Sequence, residues 1–312
     1  MSILDAIGRT PLVELTRLRP PNAARVVAKL EYANPTGSMK DRMALAAISA
    51  AEADGRLRPG GTVVEYTGGT TGVSLAFICA AKGYQARIVF SDAFAQDKGL
   101  MMEAFGAQVS IVPSHGGGIT EKVIRAMIAE AKTLGAQPRH WWCDQLNNRD
   151  ALQGYLPLGE EMLAQAGGRV DALVHVVGTA HSIHGVTRGL RNQGATVHVV
   201  AVEPAESAVL AGGPGGSHGI DGIGIGFLPP LWEPHEVNEL MAVSTADAKA
   251  MARRLASEDG IFAGTSSGAN VVAALRVAQR LGRGATVATI MVDSGLRYLN
   301  TDVFQRAASS QA

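Results

Sequence analysis

Apolar and polar residues follow one another along this chain in blocks that predict strands and helices in alternation. Residues Val26 to Glu31 are rich in β-branched and apolar side chains, as in a strand, and Met39 to Ala51 consists mainly of helix-forming residues. Residues Thr62 to Thr67 are apolar without a period of two, which is typical of a parallel strand buried on both faces. Strands that alternate with helices predict an α/β protein whose parallel sheets are covered by helices.

The same alternation continues through the rest of the chain. The pattern predicts a short strand after Pro11 and further strands over 87–90, 108–112, 140–144, 172–178, 196–204 and 286–295. It predicts a helix that ends at Gly83 and others over 95–105, 119–134, 151–165, 182–193, 243–259 and 267–281. Because the alternation restarts after Asp150, we expect two separate sheets.

A lysine stands where the first long helix is predicted to begin. Asn34 to Gly37 supplies turn residues, so Lys40 falls at the opening of that helix. The free N–H groups and positive dipole end of a helix N-terminus disfavour an ammonium group and favour the neutral amine, which can form a Schiff base with a carbonyl compound. Taken alone, a lysine after a turn is most often an ordinary exposed side chain.

The residues around Lys40 carry a longer pattern. The segment Lys29 to Arg42, KLEYANPTGSMKDR, resembles the lysine motif of the cysteine synthase and cystathionine β-synthase family at every fixed position. Members of this family use pyridoxal 5′-phosphate (PLP) and have the tryptophan synthase β fold, fold type II. Similar segments extend the resemblance over almost the whole chain. The first comprises residues Ile7 to Leu15, and the last comprises residues Asp293 to Leu299.

The resemblance implies an α/β protein of two domains, each a mostly parallel twisted sheet covered by helices, with PLP in the cleft between them. The smaller, substrate-loop domain would comprise residues 1–12 and 34–149. The larger, PLP-phosphate domain would comprise residues 13–33 and 150–312. PLP would be joined to Lys40.

Glycine-rich turns before helices supply further candidate residues. The segment GTAHSIHG, Gly178 to Gly185, lies between a predicted strand and a predicted helix, where backbone N–H groups can converge on a phosphate. The family has glycines at two middle positions of this turn, and backbone donors survive their replacement if φ stays negative. By resemblance, the residues that bind the cofactor are Lys40, Thr70, Gly178, Thr179, Ala180, His181, Ser182, Gly222 and Ser266.

Two features of these turns allow a second interpretation. Ser266 would face the pyridine nitrogen of PLP by resemblance, but it can also cap the helix predicted to begin at Ser267, and the two roles are compatible. His181 and His184 have the i, i+3 spacing of a metal-binding pair. Because no third ligand is evident, we expect no metal site.

The turn Thr67 to Gly72, TGGTTG, resembles the family's Thr-Ser-Gly-Asn-Thr-Gly loop, which binds the substrate carboxylate. Hydroxyls and N–H groups before a helix suit a carboxylate. Gly68 and Thr70 replace the family's serine and asparagine, which removes one hydroxyl and could leave space for a larger substrate or nucleophile. The residues implied to bind substrate are Thr67, Gly68, Gly69, Thr71 and Gln145.

Composition narrows the expected partners. The 312 residues suffice for two domains, and 28 basic against 28 acidic side chains give no net charge to attract nucleic acid or anionic lipid. We therefore expect a small amino-acid substrate, no nucleic acid and no membrane. Cys79 and Cys143 have no metal-ligand or disulfide spacing, and without a signal peptide pattern they indicate the cytoplasm. We also expect a homodimer.

By resemblance, the expected reaction is PLP-dependent β-replacement on an O-activated serine such as O-acetylserine, with sulfide or another nucleophile, as in cysteine synthase. The amine of Lys40 would remove the Cα proton, and the nucleophile would take the place of the leaving group at Cβ. Two alternatives stay open. One is another β-replacement or β-elimination, such as formation of cystathionine or diaminopropionate, and the other is a catalytically silent protein that keeps the fold and binds a ligand or partner.

Overall fold

The structure is a computed structural model that describes residues 1–115 and 120–305. Its strands are β1 (Leu12–Glu14), β2 (Arg25–Leu30), β3 (Thr62–Tyr66), β4 (Gln85–Ser91), β5 (Gln108–Val112), β6 (His140–Trp142), β7 (Ala172–Val176), β8 (His198–Pro204), β9 (Glu239–Val243) and β10 (Thr286–Met291). Its α-helices are α1 (Lys40–Ala53), α2 (Thr70–Lys82), α3 (Gln96–Ala104), α4 (Glu121–Gly135), α5 (Asp150–Gln153), α6 (Leu156–Gln165), α7 (His181–Asn192), α8 (Thr245–Glu258) and α9 (Thr265–Leu281). Ile119, the predicted start of the fourth helix, lies outside the described residues, as do residues 306–312 of the predicted larger domain.

The strands form two sheets. One has six strands in the order β1-β2-β10-β7-β8-β9, and the other has four in the order β5-β4-β3-β6. Of the described pairs, β1 with β2 is antiparallel and all the others are parallel. Strands β3, β7 and β10 are buried along their whole length, because helices cover both faces of the sheets. The predicted α/β class with two mostly parallel sheets is confirmed.

Two elements differ from the prediction. The helix expected over 151–165 is divided into α5 and α6, because Pro157 in the first turn of α6 has no N–H to continue the helical hydrogen bonds from α5. Strand β9 was not predicted. It lies at the edge of the larger sheet and is only partly buried, so its sequence lacks the continuous apolar run of the central strands.

The helices of both predicted domains share one apolar core. Ile48 of α1 and Leu75 of α2 belong to the same buried cluster as Leu158 of α6 and Leu190 of α7. The strands of the smaller sheet all fall within residues 34–149, while the domain boundaries themselves stay a prediction. In the described part of the chain, no helix is long and apolar enough to cross a lipid bilayer.

Candidate active site

The turn that carries Lys40 is tied to the end of the larger sheet. Ser38 forms an antiparallel bridge with Asp293, and the N–H of Met39 donates to the carbonyl of Val292 at 3.0 Å. Helix α1 then begins at Lys40 itself, as predicted. The lysine is half-buried and lines a cavity of about 500 Å³.

The amine of Lys40 is easier to deprotonate than an ordinary lysine. Burial lowers its pKa from 10.5 to about 8, and the carboxyl of Asp293 opposes that shift. The direction agrees with the expectation from the sequence. Burial is the larger cause, whereas the sequence argument rested on the helix terminus. A substantial fraction of the free amine is therefore neutral near pH 8.

The other charged residues of the lysine motif form a buried ionic network behind the turn. The guanidinium of Arg42 donates to both carboxylate oxygens of Glu31, at 2.7 and 2.9 Å, and to both oxygens of Glu161, at 2.9 and 2.8 Å. Lys29 lies 2.8 Å from the same Glu161 carboxylate. The amide of Asn34 donates to Glu31 at 2.8 Å. These residues hold the turn and α1 in place rather than facing the cavity.

The predicted carboxylate loop lies across the cavity from this turn, at the start of α2. The hydroxyl oxygen of Thr67 accepts from the N–H of Gly69 at 2.9 Å. Thr71 donates to the amide oxygen of Gln145 at 2.9 Å, and the Gln145 amide nitrogen donates to the carbonyl of Tyr66 at 2.8 Å. The amide NH₂ of Gln145 has a second hydrogen available for a ligand.

Two side chains from outside the predicted site cover this loop. The ring of Phe94 lies where a side chain on Gly68 would be, with Cε1 2.8 Å from an added Cβ. The buried stem of Lys98 packs on Gly69 in the same way, and its ammonium reaches across the cavity to Asp221 at 2.5 Å. The space expected beside Gly68 is therefore filled by Phe94. No local motif marked either residue, because the contacts depend on how α3 and the turn before it pack against the loop.

The predicted phosphate loop and the predicted glycine loop meet at a second wall of the cavity. A side chain on Gly178 would lie 2.5 Å from the carbonyl of Gly222, and the N–H of Gly224 donates to the carbonyl of Val177 at 3.2 Å. Helix α7 begins at His181. Within residues 1–115 and 120–305, the N–H groups of His181 and Ser182 have no acceptor, so both are available to an anion.

Ala180 does not keep the negative φ that the sequence argument required. It caps α7 with a φ of 71°, in the left-handed region, and is almost fully buried. An alanine there is strained, since its Cβ crowds the following carbonyl. The loop thus has the backbone conformation that glycine favours, with alanine in its place.

Replacing Ala180 with Gly is expected to raise the free energy of unfolding by about 0.5 to 1 kcal/mol, because the strain relieved exceeds the extra backbone entropy of glycine in the unfolded chain. Urea unfolding of the apoenzyme measures the change. Ala136, which caps the end of α4 at a φ of −79°, is the matched control, and its replacement by Gly should lower stability. A stability loss at both positions would contradict the assignment of strain to Ala180.

The loop histidines bind separate protein groups. His181 is within 2.8 Å of the Thr179 hydroxyl through Nδ1 and within 2.8 Å of the Asn148 carbonyl through Nε2. Nε2 of His184 accepts from the N–H of Glu233 at 3.1 Å, and its Nδ1 lies 2.7 Å from Glu236. Burial lowers the pKa of His181 to about 4, so this ring is neutral at pH 7.

Ser266 lies inside the first turn of α9 rather than before it. The helix begins at Thr265, and its cap, Gly264, makes no side-chain bond, so the interpretation of Ser266 as an N-cap is wrong. The residue is 1% exposed. Among the described residues its hydroxyl has no hydrogen-bond partner, so the hydroxyl can serve a ligand atom.

Most of the predicted site residues come together at one cavity. The predicted residues that line it are Lys40, Thr67, Gly68, Gly69, Thr70, Thr71, Gln145, Gly178, Thr179 and Gly222. The other predicted residues, Ala180, His181, Ser182 and Ser266, are buried and are not part of its lining.

Known proteins match this chain over nearly its whole length. The family model described as "Pyridoxal-phosphate dependent enzyme" matches residues 3–293. A cysteine synthase of Staphylococcus aureus (strain Mu50 / ATCC 700699) is 39% identical over 305 residues, covering 97% of this chain and 96% of that protein.

Solved structures agree with the family match. O-acetyl serine sulfhydrylase isoform 3 from Entamoeba histolytica superposes with a TM-score of 0.91 at 37% identity, covering 99% of this chain and 92% of that one. An O-acetylserine dependent cystathionine β-synthase from Helicobacter pylori superposes with a TM-score of 0.89 at 32% identity, covering 97% of this chain and 98% of that one. The chain therefore belongs to the pyridoxal-phosphate dependent enzymes, and its cofactor is PLP.

Proposed function

We propose that this enzyme catalyses β-replacement on an O-activated serine, with O-acetylserine as the donor and sulfide or another small nucleophile as the acceptor. The observation that carries the proposal is the cavity of about 500 Å³, onto which Lys40, the hydroxyl loop 67–71 and the loop that begins at Gly178 all open. That volume is typical of a cofactor site. The names of both solved relatives contain O-acetylserine, which supports this donor.

The residues around the cavity fit PLP. The unpaired N–H groups of His181 and Ser182 offer the donors that a phosphate requires, and the amine of Lys40, with its lowered pKa, is the attachment point. Ser266 would face the pyridine nitrogen, and Gly222 would leave room for the ring. When bound, PLP supplies an electron sink for an amino acid that is joined to it.

The chain's own residues would bind the substrate and move its proton. Thr67, Gly68, Gly69 and Thr71 offer hydroxyls and N–H groups to the substrate carboxylate at the start of α2, and Gln145 adds the free hydrogen of its amide. Once released, Nζ of Lys40 would take the proton from Cα of the substrate. Phe94 and Lys98 cover the carboxylate loop and would restrict access of water.

Chemical trapping tests the attachment point directly. Borohydride reduction of the holoenzyme followed by peptide mass mapping should place a pyridoxyl group on the Lys40 peptide. A group on another peptide would contradict the site. Adding O-acetylserine to the unreduced enzyme should change its visible absorbance, whereas an unchanged spectrum would favour a catalytically silent PLP-fold protein.

The covalent capture of PLP by the apoenzyme should become faster as pH rises and then level off above about pH 8. The reason is that only the neutral amine of Lys40 reacts, and its pKa is about 8. With an unperturbed lysine, capture at pH 7.5 would be on the order of a hundredfold slower. Stopped-flow absorbance between pH 6 and pH 10 measures the profile, and a rate that still climbs at pH 10 would contradict the lowered pKa.

The loop around Gly68 bears on how well the enzyme uses O-acetylserine with sulfide. We predict weak cysteine formation from O-acetylserine and sulfide, because Gly68 offers no hydroxyl to the substrate and Phe94 occupies the space of one. Gly68→Ser alone should lower turnover further through its contact with Phe94. Gly68→Ser combined with Phe94→Ala should raise kcat/KM about tenfold, the gain expected from one restored hydrogen bond to a carboxylate.

Phe94→Ala alone is the control for the lost ring, and a panel of nucleophiles that includes homocysteine addresses cystathionine formation. Efficient cysteine synthesis by the wild type, unimproved in the double variant, would mean that the loop departures are neutral.

We further propose that the chain divides into the two predicted domains, that it forms a homodimer and that it lies in the cytoplasm. The two buried thiols, Cys79 and Cys143, support the last of these. Light scattering should give about twice the 32.4 kDa of one chain.

A further inference from the structure

A buried histidine that the proposed chemistry does not use lies directly behind the predicted phosphate loop. His175 belongs to β7 and is 1% exposed. Its Nε2 is 2.8 Å from the hydroxyl oxygen of Ser182, and its Nδ1 is 3.3 Å from the side-chain nitrogen of Asn270. Three polar groups from β7, α7 and α9 thus form one chain of hydrogen bonds inside the apolar core.

The neighbours of Asn270 fix the direction of the hydrogen bonds that join Asn270, His175 and Ser182. The N–H of Val176 can only donate, and it reaches the Asn270 side-chain oxygen at 2.8 Å. The carbonyl of Ile290 can only accept, and it lies 2.7 Å from the side-chain nitrogen. The second hydrogen of that nitrogen therefore points at Nδ1 of His175, which must accept it.

The proton of His175 is consequently on Nε2. Burial lowers the pKa of this ring to about 3, so it is neutral and carries a single N–H. Since Nδ1 accepts, Nε2 donates to the oxygen of Ser182. Because the Ser182 oxygen accepts from His175, its own hydroxyl proton is not needed for that bond and can be donated to a ligand.

Thr179 has the other hydroxyl of the loop, and this hydroxyl donates to its neighbouring histidine instead of accepting from it. The carbonyl of Asn148 accepts from Nε2 of His181, so Nδ1 of that ring accepts the proton of Thr179. The Thr179 hydroxyl therefore donates its proton to His181 and not to a ligand. Of these two hydroxyls, Ser182 is the one left as a donor, next to its own free N–H.

We propose that His175 and Asn270 are positioning residues that fix the hydroxyl of Ser182 as a hydrogen-bond donor to the phosphate of PLP. The inference rests on the proposed assignment of that phosphate to residues 178–182. An anion accepts hydrogen bonds but donates none, so a hydroxyl whose oxygen already receives a proton is held in the orientation that the anion needs. Without the histidine, the hydroxyl would rotate and spend part of its time with its lone pairs toward the phosphate.

Two substitutions of similar polarity separate this role from packing. His175→Asn keeps an acceptor for Asn270 but is too short to reach Ser182, whereas His175→Gln can keep a donor at the position of Nε2. We expect the dissociation constant for PLP, measured by titrating apoenzyme, to rise roughly tenfold in His175→Asn and less than threefold in His175→Gln. Thr289→Val is the control, because it removes another buried hydrogen bond, the one to Val174 at 2.9 Å, and should leave PLP affinity unchanged.

A double-mutant cycle tests whether the histidine acts through Ser182. Ser182→Ala should itself weaken PLP binding, and His175→Asn should then add less than a twofold further loss. If His175→Asn weakened PLP binding equally with and without Ser182, the histidine would not act through Ser182, although the assignment of the phosphate site would be unaffected. If Ser182→Ala leaves PLP affinity unchanged, the proposed donor is wrong, but β-replacement, judged by turnover and by the pyridoxyl group on Lys40, still stands.

A measurement on the wild-type holoenzyme locates the proton of His175 directly, and the His175→Gln variant assigns the signal. Nitrogen-15 NMR of the histidine rings should show, besides the signal of His181, a neutral ring with its proton on Nε2 and slow exchange with solvent, and this second signal should be missing in His175→Gln. A proton on Nδ1 of His175, or a ring that is charged at pH 7, would overturn the proposal.

Discussion

Replacing Lys40 with Ala is expected to remove the covalently bound pyridoxyl group and to lower kcat at least about a thousandfold. The amine of Lys40 is the proposed attachment point and the proposed base for Cα, and a positioned general base alone contributes between a hundredfold and ten-thousandfold. The fold should survive, because the side chain is half-buried on a cavity wall. Visible absorbance and steady-state turnover at saturating PLP measure the two losses.

Lys98 provides the matched control, since among the described residues it is the other lysine that lines the cavity. Lys98→Met keeps the apolar stem over Gly69 and removes the ion pair with Asp221. This variant should still carry the pyridoxyl group on Lys40. If Lys40→Ala retained more than a tenth of the activity, or if the group in Lys98→Met were lost, Lys40 would not be the attachment point.

The central part of the fold was predictable because its sequence signals are local. Buried parallel strands such as β3 and β7 require continuous apolar segments, and helices such as α1 and α2 begin after recognisable turns. Strand β9 depends on tertiary neighbours instead, whereas the break between α5 and α6 falls at Pro157, a local signal that the prediction of one helix over 151–165 did not use. The edge position of β9 relaxes its apolar pattern.

The residues of the candidate site also fall into those that local sequence signals predicted and those that depend on tertiary packing. The turns before Lys40, after Thr67 and after Gly178 were predictable from their own residues, and the roles in the site came from the resemblance of these segments to family motifs. Phe94 and Lys98 were missed, since they come from the turn before α3 and from α3 itself, and no local pattern places them over the carboxylate loop. Positive φ at Ala180 was missed for a related reason, because an alanine carries no sequence signal for the left-handed region.

The same motif that identifies Lys40 also contains residues whose role the structure assigns to stability. Lys29, Glu31 and Arg42 are all buried, and with Glu161 they form one ionic network. Burial alone would raise the pKa of the Glu161 carboxyl, but Arg42 and Lys29 outweigh it and hold that pKa at about 2. The network therefore stabilises the folded chain above pH 4.5, and the share from Glu161 is lost as the pH falls toward 2.

Replacing Arg42 with Met is expected to lower the free energy of unfolding by about 3 to 5 kcal/mol at pH 7, because the carboxylate of Glu31 would stay buried without its cation. Arg42 also fixes the first turn of α1, so PLP capture by Lys40 should weaken as well. Urea unfolding of the apoenzyme measures the stability loss, and the difference from wild type should shrink between pH 4.5 and pH 2 as the carboxylate of Glu161 becomes protonated.

The double variant Glu31→Gln, Arg42→Met decides whether the loss comes from a stranded charge or from lost packing. Removing the uncompensated carboxylate should recover part of the stability, so the double variant should be more stable than Arg42→Met alone. Arg125→Met, which breaks an exposed pair with Glu121 at 2.6 Å, should cost less than about 1 kcal/mol. If the double variant were less stable than Arg42→Met, Glu31 would contribute through its bonds to Thr10 and Asn34 rather than through its charge, and the ionic network would not be what holds the lysine turn.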